Sequence, residues 1–118
     1  MNPPDPTRPG SILVVDDDAT MASTLQEFLQ QEGYAVGVAL SAAEALTLQE
    51  RDPHLTVALV DLIMSPTDGL ALMEQLHRCN PDLAVIIMTG YGTIETAVEA
   101  IKRATFLRSA WRSKGLVR

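Results

Sequence analysis

Leu55-Thr-Val-Ala-Leu-Val-Asp61 is an apolar run closed by a carboxylate. A continuous leucine-rich and β-branched run of this length reads as a strand buried on both faces, the signature of a parallel sheet. Its acid falls at the C-terminal end, where side chains leave the core and where ligands of open α/β sheets bind. An Asp in that place also caps a following loop on turn preference alone. The second run, Ile12-Leu-Val-Val15, ends the same way, on Asp16, Asp17 and Asp18. Two such strands side by side crowd several carboxylates into one crevice. Folding gains nothing from that repulsion, so the pair of runs points to a cation site.

The chain has 118 residues, the length of one domain that buries about two-thirds of its unfolded surface. A hydrophobic share of 47% beside 20% charged residues describes an ordinary globular protein. No apolar run approaches the ~20 residues of a membrane span, and no signal-peptide pattern opens the chain. Cys79 is the only cysteine, which precludes an internal disulfide and fits a reducing cytoplasm. The net charge of −6 is unevenly spread. All 15 acids lie before residue 102 against Arg8, Arg51 and Arg78, while the remainder carries six basic residues and no acid. An acidic body repels nucleic acid, so direct nucleic-acid binding is not expected of this domain. The basic segment 112–118 reads as a solvated tail.

Residues 1–10 hold four prolines and read as a disordered leader that cannot be helical. Strand one is 12–15. Met21, Leu25, Phe28 and Leu29 then give a helical stripe from Asp18 or Ala19 to Glu32, closed by Gly33. Asp18 suits the N-cap of this helix better than a ligand role. Tyr34 to Ala39 is a second strand. Ser41-Ala-Ala-Glu44 is a capping-box pattern that opens a helix running to Arg51, where Asp52-Pro53 stops it. Strand three is 55–60. Ser65-Pro-Thr-Asp-Gly69 supplies turn chemistry before a third helix marked by Leu70, Leu72, Met73 and Leu76, which ends near Cys79. Leu83 to Met88 is a fourth buried strand, followed by Thr89. Thr93 can cap a fourth helix carrying Ile94, Ala97, Val98 and Ile101. Four strands alternating with four helices argue for an α/β fold, a parallel sheet with right-handed crossovers and helices on both faces. Beyond Arg103 only a weak fifth strand around Thr105–Arg108 is legible, and the remainder is too short for a full fifth helix of ~10–12 residues and a loop.

If strands one, three and four are neighbours, Asp16, Asp17, Asp61 and Thr89 converge at one edge of the sheet. Clustered carboxylates with oxygen-only partners suit a hard divalent cation such as Mg²⁺. His54 and His77 lie far apart and no zinc spacing is present. Neither a Gly-x-x-x-x-Gly-Lys loop nor Gly-x-Gly-x-x-Gly occurs, so nucleotide binding has no support.

Taken together, Ile-Leu-Val-Val-Asp-Asp-Asp, Leu-Val-Asp-Leu-Ile-Met, Thr-Asp-Gly-Leu and Val-Ile-Ile-Met-Thr-Gly-Tyr-Gly-Thr resemble the receiver domain of two-component response regulators. The resemblance covers roughly residues 11–103. The segment from Met88 to Arg103 is most similar to receivers of sigma-54-type activators. The resemblance implies a flavodoxin-like doubly wound sheet over 11–111 and a cytoplasmic phosphotransfer switch rather than an enzyme acting on a metabolite. It implies that Asp61 takes a phosphoryl group from a sensor histidine kinase with Mg²⁺ as cofactor. By the same carry-over Asp17 binds the metal directly, Asp16 orients it through water, and the backbone carbonyl of Ile63 completes the ligands. Thr89 contacts the phosphoryl group and acts as the switch.

Two departures stand out. Met64-Ser65-Pro66 puts the proline one place later than the family's Met-Pro. The family's lysine, which pairs with the acceptor carboxylate, has no counterpart: its place falls on Trp111 by direct counting, or on Ser109 with two one-residue gaps. Lys114 is a distant substitute. This reads as a truncated or scrambled C-terminus, and an unfinished sheet edge invites homodimerisation. One rival reading is a pseudo-receiver that acts only through protein contacts. Another is a small metal-dependent phosphohydrolase, since Asp16 and Asp18 have its Asp-x-Asp spacing.

Overall fold

The computed structural model describes residues 10–52, 54–61, 69–88, 94–95 and 97–103. The expected leader, the loop holding Ile63 and Met64–Pro66, Thr89, the weak fifth strand, Ser109, Trp111 and the tail with Lys114 lie outside the described residues.

Seven elements follow in strict alternation: β1 (Ser11–Val15), α1 (Ala19–Gln31), β2 (Ala35–Ala39), α2 (Ala42–Arg51), β3 (Leu55–Asp61), α3 (Gly69–Cys79) and β4 (Ala84–Met88). Residues 94–95 and 97–103 are again helical. Local chemistry sets the boundaries. The Asp18 carboxylate accepts from the backbone N–H of Thr20 at 3.0 Å and of Met21 at 3.2 Å, so it is the N-cap of α1. Gly33 ends that helix at φ 97°, a left-handed conformation that lacks a Cβ penalty only in glycine. The N–H of Tyr34 reaches back to the Leu29 carbonyl and that of Gly33 to Gln30, which satisfies two carbonyls the helix end would otherwise orphan. At α2 the Ser41 hydroxyl accepts from Glu44 N–H at 3.2 Å. The Glu44 carboxylate reaches one residue further back than expected, to the N–H of Leu40 at 2.8 Å.

The strands form one parallel sheet in the order β2-β1-β3-β4. Leaving β1, the chain moves one way to β2 and then back past β1 to β3 and β4. Right-handed crossovers therefore put α1 on one face and α2 and α3 on the other. The two apolar clusters follow that division. Leu13, Val15, Ala58 and Val60 pack with Ala45 of α2 and with Leu72 and Leu76 of α3. Ile12, Val14, Val57 and Leu59 pack with Ala22, Leu25 and Leu29 of α1. Both faces of β1 and β3 are thus dry, which is why their sequences show no polar alternation.

The fourth helical stretch lies on the α1 face, where Ala97 and Ile101 are buried with Leu25 and Leu29. An ion pair of 3.1 Å between Lys102 Nζ and Glu32 Oε2 ties it to the end of α1. A right-handed crossover from β4 to a further parallel strand beyond it would run on the α3 face instead. The sequence stripe at Ile94, Ala97, Val98 and Ile101 predicts the helix but not its side of the sheet.

Candidate functional site

The acids sit where the two central strands end. Val14 pairs with Leu59 and Val15 with Val60, so one further step along each strand sets Asp16 beside Asp61. Alternation along a strand then puts both on the α1 side, in phase with Val14 and Leu59. Asp17 follows in the turn before Asp18 caps α1. Carboxylate oxygens of Asp16, Asp17 and Asp61 all lie within 4.8 Å of one another. Asp16 is buried, Asp61 half-buried and Asp17 exposed, so the cluster grades from the core out to water.

Asp16 is fixed by its surroundings. Its backbone N–H donates to the Ala39 carbonyl at 3.1 Å, and its side chain accepts from the N–H of Asp18 at 2.9 Å. Burial is the largest influence on its carboxyl and pushes the pKa above the usual range. The Asp18 N–H bond works the other way by favouring the charged form. The charges of Asp61 and Asp18, and a side-chain hydrogen bond with Asp61, push it up again. An acid held this way carries a cost in the absence of positive charge.

Three close carboxylates of graded exposure fit a hard divalent cation. Such an ion takes oxygen ligands only, accepts waters on its open side, and offsets the repulsion that raises the Asp16 pKa. Among the described residues no histidine or cysteine joins the group, which disfavours zinc. The structure thus brings together three of the predicted site residues, Asp16, Asp17 and Asp61. Ile63 and Thr89 lie outside the described residues. Asp18, the fourth acid of the region, is occupied as a helix cap.

The opposite end of the same strands holds a polar network that the sequence reading passed over. Ser11 Oγ donates to Asp52 Oδ2, and His54 N–H donates to Asp52 Oδ1 at 3.0 Å. Thr56 Oγ1 donates to the Ser11 carbonyl at 3.2 Å across a register irregularity between Ser11 and Ile12. Asp52-Pro53 had signalled only a helix stop. Pairing with Ser11, 41 positions away, has no local signature.

A doubly wound sheet with an acid cluster at its strand ends defines a class, and comparison with known proteins names it. The response regulator receiver domain model matches residues 12–106, and the chain belongs to that family. It is similar to the transcriptional regulatory protein ZraR of Escherichia coli, 43% identical over 91 residues, which are 77% of this chain and 20% of that protein. It is also similar to the photosynthetic apparatus regulatory protein RegA of Cereibacter sphaeroides, at 36% identity over 78% of this chain and 50% of that one. A response regulator from Burkholderia pseudomallei, solved with a phosphorylated aspartic acid, a calcium ion and citrate, superposes with a TM-score of 0.65. It is 38% identical, covering 79% of this chain and 54% of its own. The chain spans about a fifth of the length of the ZraR relatives.

Proposed function

We propose that this receiver domain, spanning residues 11–111, accepts a phosphoryl group on Asp61 from a phosphohistidine of a sensor histidine kinase. The observation that carries this reading is the convergence of Asp16, Asp17 and Asp61 within 4.8 Å at the ends of the two central strands. An Asp61 oxygen attacks phosphorus as the P–N bond breaks, and the imidazole leaves with the bonding pair. Such a transfer needs in-line positioning and neutralisation of spread negative charge rather than general acid–base help. Mg²⁺ is the ion proposed here, and when bound it supplies that neutralising charge. Asp17 and Asp61 would hold it directly, Asp16 through water, and the Ile63 carbonyl would complete the set. Thr89 would contact the phosphoryl group and report its arrival to partner surfaces. The domain acts as a cytoplasmic switch of the kind attached to sigma-54-type activators, with no direct role in nucleic-acid binding. Among the described residues no helix is long and apolar enough to cross a membrane.

Intact mass after incubation with acetyl phosphate, with and without Mg²⁺, tests the proposal beside an Asp61→Asn control. A Mg²⁺-dependent phosphate adduct that the control lacks is the expected result. No adduct on folded protein would overturn it. That result would favour the second reading, a pseudo-receiver acting by protein contact alone, which rests on Ser109 or Trp111 standing where the family's lysine is expected.

A further inference from the structure

β2 and the helix beside it form one surface at a margin of the sheet. β2 is an outer strand among the described residues. Its five residues, Ala35-Val-Gly-Val-Ala39, carry no charge and no proline, the usual guards of an outer strand. Ala35 is exposed, and Val36, Gly37 and Val38 are half-exposed. The Ala39 carbonyl accepts from Asp16 N–H. Alternation therefore turns the N–H and C=O of Ala35, Gly37 and Ala39 toward β1 and those of Val36 and Val38 outward. Gln26 Nε2 agrees with that direction by donating to the Val36 carbonyl at 2.9 Å. α2 packs mainly across β2 and β1. Between its outer side and β2 runs an open groove lined by Val38, Ala43, Glu44, Thr47, Leu48 and Arg51. Gly37 lies level with Leu48, since a Cβ placed on it would sit 3.8 Å from Leu48 Cδ1.

We propose that this surface, β2 with the outer side of α2, receives a second copy of this chain about a twofold axis through Gly37. Antiparallel pairing in that register sets Gly37 opposite Gly37 and Val36 opposite Val38. Only pairs of the second kind exchange hydrogen bonds, and Val36 and Val38 are the residues whose backbone groups face outward. At the Val36 carbonyl the partner's Val38 N–H takes the place of the Gln26 amide.

Charge selects a second copy as the occupant. Glu44 and Arg51 stand nearly two turns apart on α2, about 10 Å by helix rise, and Leu48, beside Gly37, is near their midpoint. α2 runs antiparallel to β2, because it carries the chain back to the parallel strand β3. The axis through Gly37 therefore reverses α2 as well and sets Glu44 opposite Arg51 of the partner subunit, twice over. Glu44 holds Leu40 N–H through Oε2, so Oε1 is the oxygen that guanidinium takes. Spacing agrees with charge. Neighbouring strands lie about 4.8 Å apart and α2 sits over β2 and β1, which sets the two α2 helices about 10 Å apart, the separation of packed helices. The contact is isologous and closes at two copies. It lies away from the acid cluster's chemistry and stands whether or not Asp61 is phosphorylated.

Sedimentation velocity of the full chain from micromolar to millimolar concentration is the first test, with a concentration-dependent dimer as the expected result. Charge reversal is the second. Arg51→Glu sets Glu44 against another acid, and Glu44→Arg sets Arg51 against another base. Each variant alone should dimerise more weakly by about tenfold or more. Mixed in equal amounts, the two variants restore both opposed pairs and should form a heterodimer about as tight as the native dimer. The third test is Gly37→Cys in a Cys79→Ser background under mild oxidation, with Leu70→Cys, an exposed position on α3, as comparison. Opposed residues of antiparallel strands lie at a Cα separation of about 4.5–5.5 Å, within disulfide reach. Gly37→Cys should therefore cross-link roughly tenfold faster or more, through its high effective concentration. A monomer throughout the range overturns the proposal and leaves the groove to a chain of another kind. A dimer indifferent to both reversals, or equal cross-linking rates, places the contact elsewhere and overturns it too. If a charge reversal unfolds the chain, the cross-linking rates still decide.

Discussion

The two ends of the central strands carry the same residue type to opposite purposes. At the C-terminal end, Asp16, Asp17 and Asp61 press their charges together. At the N-terminal end, Asp52 accepts from Ser11 Oγ and from His54 N–H, and Thr56 and Asn80 reach nearby carbonyls. Even the backbone is close there, since a Cβ on Gly10 would collide with the Thr56 side chain. One end has its acid supplied with donors and stabilises the fold. The other crowds Asp16, Asp17 and Asp61 within 4.8 Å, where burial and the charges of Asp61 and Asp18 raise the Asp16 pKa, a cost that a bound cation would offset. The same sheet separates an end whose acid is hydrogen-bonded into the fold from an end where acids cluster.

Substitutions can break that contrast. The largest effect is expected at Asp61, where Asp61→Asn should abolish phosphate incorporation, read by intact mass, while leaving the urea midpoint no lower. Asp52→Ala should do the reverse. It removes the acceptor of two hydrogen bonds and costs about 1–3 kcal/mol in urea unfolding, with phosphate incorporation by the folded fraction unchanged. Asp16→Asn should raise metal-free stability at neutral pH by roughly 0.5–1 kcal/mol, the scale of a like-charge contact relieved, and should weaken the stabilisation that Mg²⁺ confers in thermal melts.

The pH dependence sharpens the same point. The folded pKa of Asp16 is raised, so between its unfolded and folded values the native state binds more protons than the unfolded chain. Its contribution to stability is then lost as pH rises through that window and regained as pH falls. Melting wild-type and Asp16→Asn proteins side by side without metal should show the gap between them closing on acidification. A gap that widens on acidification would mean that the Asp18 N–H bond outweighs burial and repulsion. The smallest effect belongs to Gln49, a buried residue of α2 whose Oε1 has no hydrogen-bond partner among the described residues. Gln49→Leu should be neutral or stabilising by up to about 1 kcal/mol in urea unfolding, since it removes a desolvated acceptor.

Much of this was legible in the residues. Leu55–Asp61 and Ile12–Val15 announce buried parallel strands because nothing polar interrupts them, and their terminal acids announce the cluster. Asp18, Gly33 and Ser41 mark helix ends through chemistry confined to a few neighbours. What escaped is non-local. The stripe on the fourth helix suits either face of the sheet, and only packing against Leu25 and Leu29 selects the α1 side. The partnership of Asp52 with Ser11 depends on β1 and β3 lying side by side, which no spacing encodes. The Glu44 carboxylate overshoots its expected target by one residue, a detail of backbone path that the capping pattern does not contain.

The central place of β1 has a consequence for how the protein comes into being. β1 takes β2 on one side and β3 on the other, and the latter pairing joins residues such as Ser11 and Thr56, 45 positions apart. Among the described residues every strand pairing is parallel and none is a hairpin, and a topology of distant parallel pairings folds slowly. During synthesis Asp16 and Asp17 emerge early and wait until β3 delivers Asp61 from the ribosome. A nascent or nicked chain ending before that strand has two acids and no pocket. Affinity for the proposed divalent cation would therefore be a test of assembly, passed only by a chain whose central strands have already met.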